Sequence, residues 1–169
     1  AVKSDVSSDK ADFGAVLTNN NEFFFTSARN TARRESGMDD QPYLDLYKAT
    51  RNADGTLSQA TEVAELNTKW HDGPAAISSD GNTMYYGSES FNESEFQKNK
   101  AKKLKFGQIY LYKATKEGDK WANSKPLPFN SKEYSVRNPS VSKDGKTLYF
   151  SSDMPGGLGG EDIWKVSVD

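Results

Sequence analysis

Cysteine is absent from the 169 residues, and histidine occurs once. The first absence excludes disulfides, thiol catalysis and zinc sites built on thiolates. The second excludes a zinc site built on several histidines and leaves any Ser–His–Asp triad dependent on His71 alone. Long apolar runs are missing too: no stretch of about 18 hydrophobic residues occurs, so no segment reads as a membrane-spanning helix and direct membrane insertion is not expected. Aliphatic side chains are scarce, and the mean hydropathy is −0.83. The charges nearly cancel, at a net −2, which argues against nucleic acid as a partner of the whole surface. Residues 1–10 hold no secretory leader and read as a processed or trimmed end.

Aromatic residues, by contrast, make up 12% of the chain. A disordered chain lacks them. Few aliphatics with many rings suit thin β-sheets packed face to face, where each ring buries a large area.

The strongest signal is internal repetition. AISSDGNTMYYGS (residues 76–88) and SVSKDGKTLYFSS (140–152) share one pattern, and AVLTNNNEFFFTS (15–27) is a weaker copy. Each reads as a short strand, a tight Asp-Gly or Asn-Asn hairpin, and a strand ending in two aromatics and a serine. A second block follows each copy: LDLYKAT (44–50), IYLYKAT (109–115) and EDIWKVS (161–167), with residues alternating between faces. A third block, TEVAELNTK (61–69), is matched by SKPLPFNSK (124–132). The pattern predicts four short antiparallel strands per repeat, labelled a to d. In the second repeat they lie near residues 74–78, 83–88, 108–115 and 121–127. The expected class is all-β: β-propeller blades of four antiparallel strands, about 2.75 of them. Residues 1–10 would close a preceding blade. Residues 11–69, 70–132 and 133–169 would be blades one to three, the third without its last strand, all in one domain.

The signature S-x-D-G-x-x-L/M-Y-F/Y-x-S resembles the TolB-like (WD-like) propeller repeat. Residues 150–164, FSSDMPGGLGGEDIW, are similar to a repeat of OmpA-type envelope proteins and of PorE-like components of type IX secretion and gliding. The resemblance covers residues 11–169, best in the third repeat. It implies a periplasmic or outer-membrane-associated location and a protein partner in the envelope. The helical and peptidoglycan-binding domains of those proteins have no counterpart here, so peptidoglycan binding is not implied. Three blades alone leave open edges. The expectation is a piece of a longer protein with further blades; the alternatives are a ring completed by another copy lending strand d, or an open array held by a different partner.

Propeller geometry places the b–c loops (residues 28–43, 89–107 and 153–161) and the d–a loops on one face. Long, dissimilar loops on a rigid scaffold are where binding resides. The first carries Arg29, Arg33 and Arg34, with Asp39 and Asp40 behind them. The second carries Lys98, Lys100, Lys102, Lys103 and Lys105 after Phe91 and Phe96. The d–a loops add Trp70, His71, Tyr134 and Arg137. From these the candidate partner-binding face is Arg29, Arg33, Arg34, Trp70, His71, Lys102, Lys103, Lys105, Tyr134 and Arg137, suited to an acidic protein surface or an anionic glycan. The competing reading is a set of solvated loops whose charges confer solubility, with Glu93 and Glu95 beside the lysines.

Other residues read as structural. His71 suits a rim position. Asp80 and Asp144 suit turns, and the recurrence of Asp45 and Asp162 before strand c suits backbone bonding. Gly156, Gly157, Gly159 and Gly160 suit a tight turn, since neither a helix nor a Lys-Ser/Thr pair follows as a phosphate loop requires. Trp164 should be core, Trp121 should pack between blades, and Trp70 is the stacking candidate. No catalytic residue, metal site or cofactor is expected. The leading function is a non-catalytic interaction or scaffold module of a Gram-negative envelope assembly. The alternatives are a glycan-binding propeller and the accessory propeller of an enzyme whose catalytic domain lies outside this chain.

Overall fold

The computed structural model describes residues 1–33 and 40–168. Strands β1 (Asp12–Leu17), β2 (Glu22–Ser27), β3 (Asp45–Thr50) and β4 (Thr61–Glu62) form one antiparallel sheet in that order. A second sheet has the order β5 (Asp72–Ile77), β6 (Thr83–Glu89), β9 (Ile109–Glu117), β10 (Lys120–Pro126); between β6 and β9 a separate ribbon is inserted, β7 (Gln97–Asn99) with β8 (Leu104–Phe106). β11 (Val136–Val141), β12 (Thr147–Ser152) and β13 (Asp162–Ser167) form the third large sheet. The molecule is therefore all-β and antiparallel, as the alternation predicts. No described sheet closes on itself, and no described helix is long and apolar enough to cross a membrane.

Turn chemistry sets each opening hairpin. Asp80 Oδ1 accepts the Ser78 hydroxyl at 2.6 Å and the Asn82 N–H at 3.0 Å. Asp144 repeats this with Ser142 at 2.5 Å and Lys146 at 3.1 Å. The next residue must take a left-handed conformation: Gly81 has φ 75°, Gly145 φ 74°, and Asn21 φ 59° in the first copy. Glycine and asparagine reach this region at least cost, which is why the Asn-Asn variant serves.

The registers superpose. β1, β5 and β11 begin opposite a serine: Asp12 pairs with Ser27, Asp72 with Ser88 and Val136 with Ser152. Each first strand is then bulged, with one positive-φ residue at the irregularity: Gly14, Gly73 or Asn138. The first strands of successive sheets lie against one another, β1 on β5 and β5 on β11.

Two cores lie between these sheets. Phe24, Leu46, Val63 and Leu66 of the first sheet and its edge segment meet Ala75, Met84, Tyr86, Tyr112, Ala114 and Trp121 of the second. Trp121 stands edge-on to Phe24, ring centres 6.0 Å apart, and so packs between sheets. The next core joins Tyr85 and Leu111 to Val136, Leu148 and Phe150, with Phe129 stacked on Phe150 at 4.9 Å. Each such buried ring or leucine is worth about 1.5–3 kcal/mol relative to exposure. Trp164 faces this second core half-buried and donates its indole N–H to the Ser152 carbonyl.

The third sequence block finds its reason at the sheet edge. Asn67 accepts the Leu46 N–H through Oδ1 at 2.7 Å and donates Nδ2 to the Leu46 carbonyl at 3.0 Å. Asn130 does the same to Leu111, at 2.9 and 2.8 Å. In each case the carboxamide takes the place of a strand's peptide group and continues the ladder past β4 or β10.

Candidate binding face

Rings from three loops converge at one end of the first two sheets. Tyr43 precedes β3, Trp70 and His71 precede β5, and Phe91 and Phe96 follow β6. Ring centres are 4.5 Å apart for Tyr43–His71, 6.2 Å for Tyr43–Trp70, 4.8 Å for Trp70–Phe91 and 5.8 Å for Phe91–Phe96. The result is a continuous row of half-buried rings.

Cations sit over this row. Lys69 Nζ lies 5.3 Å from the Trp70 ring centre; Lys105 and Lys98 lie 4.6 and 5.6 Å from that of Phe96. Lys98 and Lys105 are held there because residues 97–106 fold as the β7–β8 ribbon. Asn99 Oδ1 accepts the Lys102 N–H at its turn, where Lys103 has φ 52°. Gln97 Nε2 anchors the ribbon to the Lys132 carbonyl at 3.0 Å and to Glu133 at 3.1 Å. The nearby acids are engaged elsewhere: Glu93 accepts the Tyr112 hydroxyl at 2.9 Å and Glu95 accepts that of Tyr110. Those bonds and burial raise both phenols well above their usual range, burial being the larger cause.

Two clefts flank Lys69. One, of about 370 Å³, is lined by Ala32, Arg33, Tyr43, Lys69 and Trp70. The other, of about 500 Å³, includes Glu65, Asn67, Thr68, Tyr86, Asn92, Glu93, Tyr112 and Ser124. Trp70 Nε1 is buried without a hydrogen-bond partner among the described residues.

The other candidate residues lie as follows. Arg29 turns inward: it pairs with Asp12 at 2.7 Å, donates to the Val6 carbonyl, and lies over Phe25 and Tyr47. Burial would raise Asp12, but hydrogen bonds from Ser27, Ser8 and Arg29 outweigh it and lower the carboxyl to about 2. Arg33 donates to the Trp70 carbonyl at 3.1 Å and pairs with Asp45 at 3.3 Å. It thus ties the first loop to the ring row. Asp45 is buried, which lifts it to about 6 against the pull of Arg33. Asp162, the repeat partner of Asp45, instead accepts the Leu158 and Gly159 N–H groups at 2.8 and 3.0 Å and closes the glycine turn. His71 Nδ1 accepts the Leu44 N–H at 3.0 Å, a structural bond at the rim. Lys102 and Lys103 occupy the exposed ribbon turn. Tyr134 donates to the Phe129 carbonyl, and Arg137 pairs with Glu161 at 2.7 Å, both on the third sheet's side and outside the ring row. Arg34 and Asp39 lie outside the described residues.

Tyr43, Lys69, Phe91, Phe96 and Lys98 are the additions that folding makes to the sequence-derived set. Lys98, Phe91 and Phe96 stood out in the sequence as part of a run, but their stacking depends on contacts across loops. Among the described residues no group of three or more His, Asp or Glu side chains could hold a metal ion.

No family model matches the chain, and no curated protein matches it. Among solved structures it is similar to a puromycin-hydrolyzing peptidase of Mycobacterium tuberculosis, at 13% identity and a TM-score of 0.56. The match covers 98% of this chain and 23% of that one, so this chain spans under a quarter of the peptidase's length. At that identity the likeness is one of fold. These findings overturn the resemblance to TolB-like repeats and to OmpA-type or PorE-like envelope proteins. The physical reason is visible in the residues that carried it. Asp80, Asp144 and Asp162 close turns and Ser152 bonds the Ser135 carbonyl, so the motif encodes antiparallel turn chemistry that is not private to one family. Such a likeness leaves the sheets' family open but their all-β build secure.

Proposed function

We propose that the three larger sheets are successive blades of a β-propeller, and that the chain is a non-catalytic interaction module. Its ring row and ribbon dock an acidic protein segment bearing aromatic or apolar side chains. The reading is supported by two four-strand sheets and one three-strand sheet in simple order whose first strands face one another. The observation that carries it is the row Tyr43–Trp70–Phe91–Phe96 with lysine cations over Trp70 and Phe96. Rings and flanking cations together form an anchor for a partner that offers apolar groups and carboxylates. The envelope location rested on the overturned resemblance and is not carried forward. The test is a peptide array of acidic, ring-containing sequences read against the full chain. Hits should weaken about tenfold or more with Trp70→Ala and fall steeply with salt; salt-independent hits that survive Trp70→Ala would rule the reading out.

A second reading is favoured by the larger cleft, where the exposed Asn92 amide and the Ser124 hydroxyl, itself paired with the Tyr86 hydroxyl, lie beside the ring row. On that reading the ligand is a glycan, anionic where it meets Lys69, and a glycan array would give the stronger hits. The fold likeness to a segment of a peptidase favours a third, a module accompanying a hydrolase domain. It requires that adding this chain in trans alter the substrate range of such a domain.

A further inference from the structure

The β7–β8 ribbon carries a charge arrangement that its own fold does not require. Residues 97–106 hold five lysines and no acid. The two strands pair Gln97 with Phe106, Lys98 with Lys105 and Asn99 with Leu104. Directly opposed residues share a face, so Lys98 and Lys105 project side by side. Both lie over one ring, with Nζ atoms 5.6 and 4.6 Å from the Phe96 centre. Like charges facing each other across a ladder destabilise it. Neither lysine belongs to an ion pair among the described residues. We infer, on the docking reading above, that this pair binds a phosphomonoester borne by a side chain of the partner segment.

The lysine face is fixed from behind. Gln97 alternates with Lys98 and so points the other way, where its Nε2 donates to the Lys132 carbonyl and to Glu133. Asn99 closes the turn by accepting the Lys102 N–H. The acids close enough in sequence or space to neutralise the pair are engaged: Glu133 with Gln97, Glu93 with the Tyr112 hydroxyl and Glu95 with that of Tyr110. Lys98 and Lys105 are both exposed, so a group arriving from solvent reaches them. Two like charges are therefore held over one ring without a counter-charge from the described residues.

The chemistry of the pair selects the group. A carboxylate brings one negative charge and leaves the second ammonium uncompensated. A phosphomonoester carries about −1.5 to −2 charges at pH 7 and three acceptor oxygens, so one group takes charge-assisted hydrogen bonds from both Nζ atoms. Lysine suits the task, since its ammonium is a compact point charge with three rotatable donors and needs no planar partner. Lys100, Lys102 and Lys103 strengthen the positive field at the same end of the ribbon. Phe96 continues through Phe91 to Trp70. A segment that sets its phosphate over Phe96 thus lays its neighbouring apolar side chains along the row.

The test is the peptide array made in three versions, with serine, glutamate or phosphoserine at one position, read against the full chain. Phosphoserine versions should bind about tenfold or more tighter than glutamate versions, and the advantage should grow between about pH 5.5 and 7.5 as the phosphate loses its second proton near about 6. Lys98→Ala and Lys105→Ala alter exposed side chains, and each should bring the phosphoserine-to-glutamate ratio close to one. Trp70→Ala should weaken both versions and leave that ratio unchanged, which separates the phosphate site from the ring row. Inorganic phosphate should compete only in the roughly millimolar range. Glutamate versions that bind as tightly as phosphoserine versions would overturn the inference while leaving the docking reading intact, and an array blank in every version would remove both. A ratio indifferent to either lysine, or inorganic phosphate that binds as tightly as the phosphopeptide, would also overturn it.

Discussion

Asp72 shows how one buried side chain ties fold to pH. It is fully buried at the start of β5, and burial raises its carboxyl to about 7 although Thr68 donates to it twice. Its unfolded value is near 4, so between about pH 4 and 7 the folded chain holds a proton that the unfolded chain has released. Its contribution to stability is complete below about pH 4 and is lost as the pH rises through 7; Asp45, raised to about 6, acts in the same sense. Asp72→Asn keeps an acceptor for the Thr68 N–H and has no proton to lose. Urea midpoints taken from pH 4.5 to 8 should therefore fall less with pH in the variant, and parallel curves would refute the assignment. Asp12 behaves oppositely. Held near 2 by its hydrogen bonds, it stabilises above about pH 4 and stops doing so as the pH falls toward 2, so Asp12→Asn should cost about 1–3 kcal/mol at neutral pH. Short-range roles such as those of Asp80 and Asp144 were legible in the sequence, because their partners lie two residues away. The inward turn of Arg29 was not, because Asp12 lies 17 residues away across the hairpin.

At the scale of elements, the asparagine bridges carry the most structural weight per residue. Removing either carboxamide leaves one N–H and one C=O of a buried strand unpaired. Asn67→Ala and Asn130→Ala should each cost about 1–3 kcal/mol in urea unfolding, and nearly additively since they serve different sheets. The recurrence of this asparagine was readable in the third block, but its role was not, since a side chain standing in for a strand leaves no periodic pattern. The β7–β8 ribbon escaped sequence reading for a related reason: its strands are three residues each and residues 97–106 hold five lysines, so the segment reads as charged loop. Replacing residues 97–106 by a short Gly-Ser linker should abolish binding at the ring row. It should also leave the unfolding midpoint within about 1 kcal/mol of the parent, because the ribbon adds little to either core; a large loss of stability would make the ribbon structural instead.

For the whole molecule, the repeat explains both what is rigid and what is open. Successive opening hairpins are stitched together, Asn19 donating to the Ser79 carbonyl and the Ser79 hydroxyl to that of Lys143, so the plain end is a continuous polar strip. The long loops gather at the other end. This division was legible because each large sheet is a local unit whose strands follow in chain order, apart from the ribbon inserted in the second. The family was not, because the residues that suggested it perform turn chemistry that unrelated antiparallel sheets share. If the ring row and its lysines form one docking site, equilibrium binding of the best array peptide to four proteins will reveal it. Trp70→Ala and the Lys98→Ala/Lys105→Ala pair should each weaken binding about tenfold or more relative to the parent, while Lys143→Ala at the opposite end changes nothing. Equal affinity for all four proteins would contradict it.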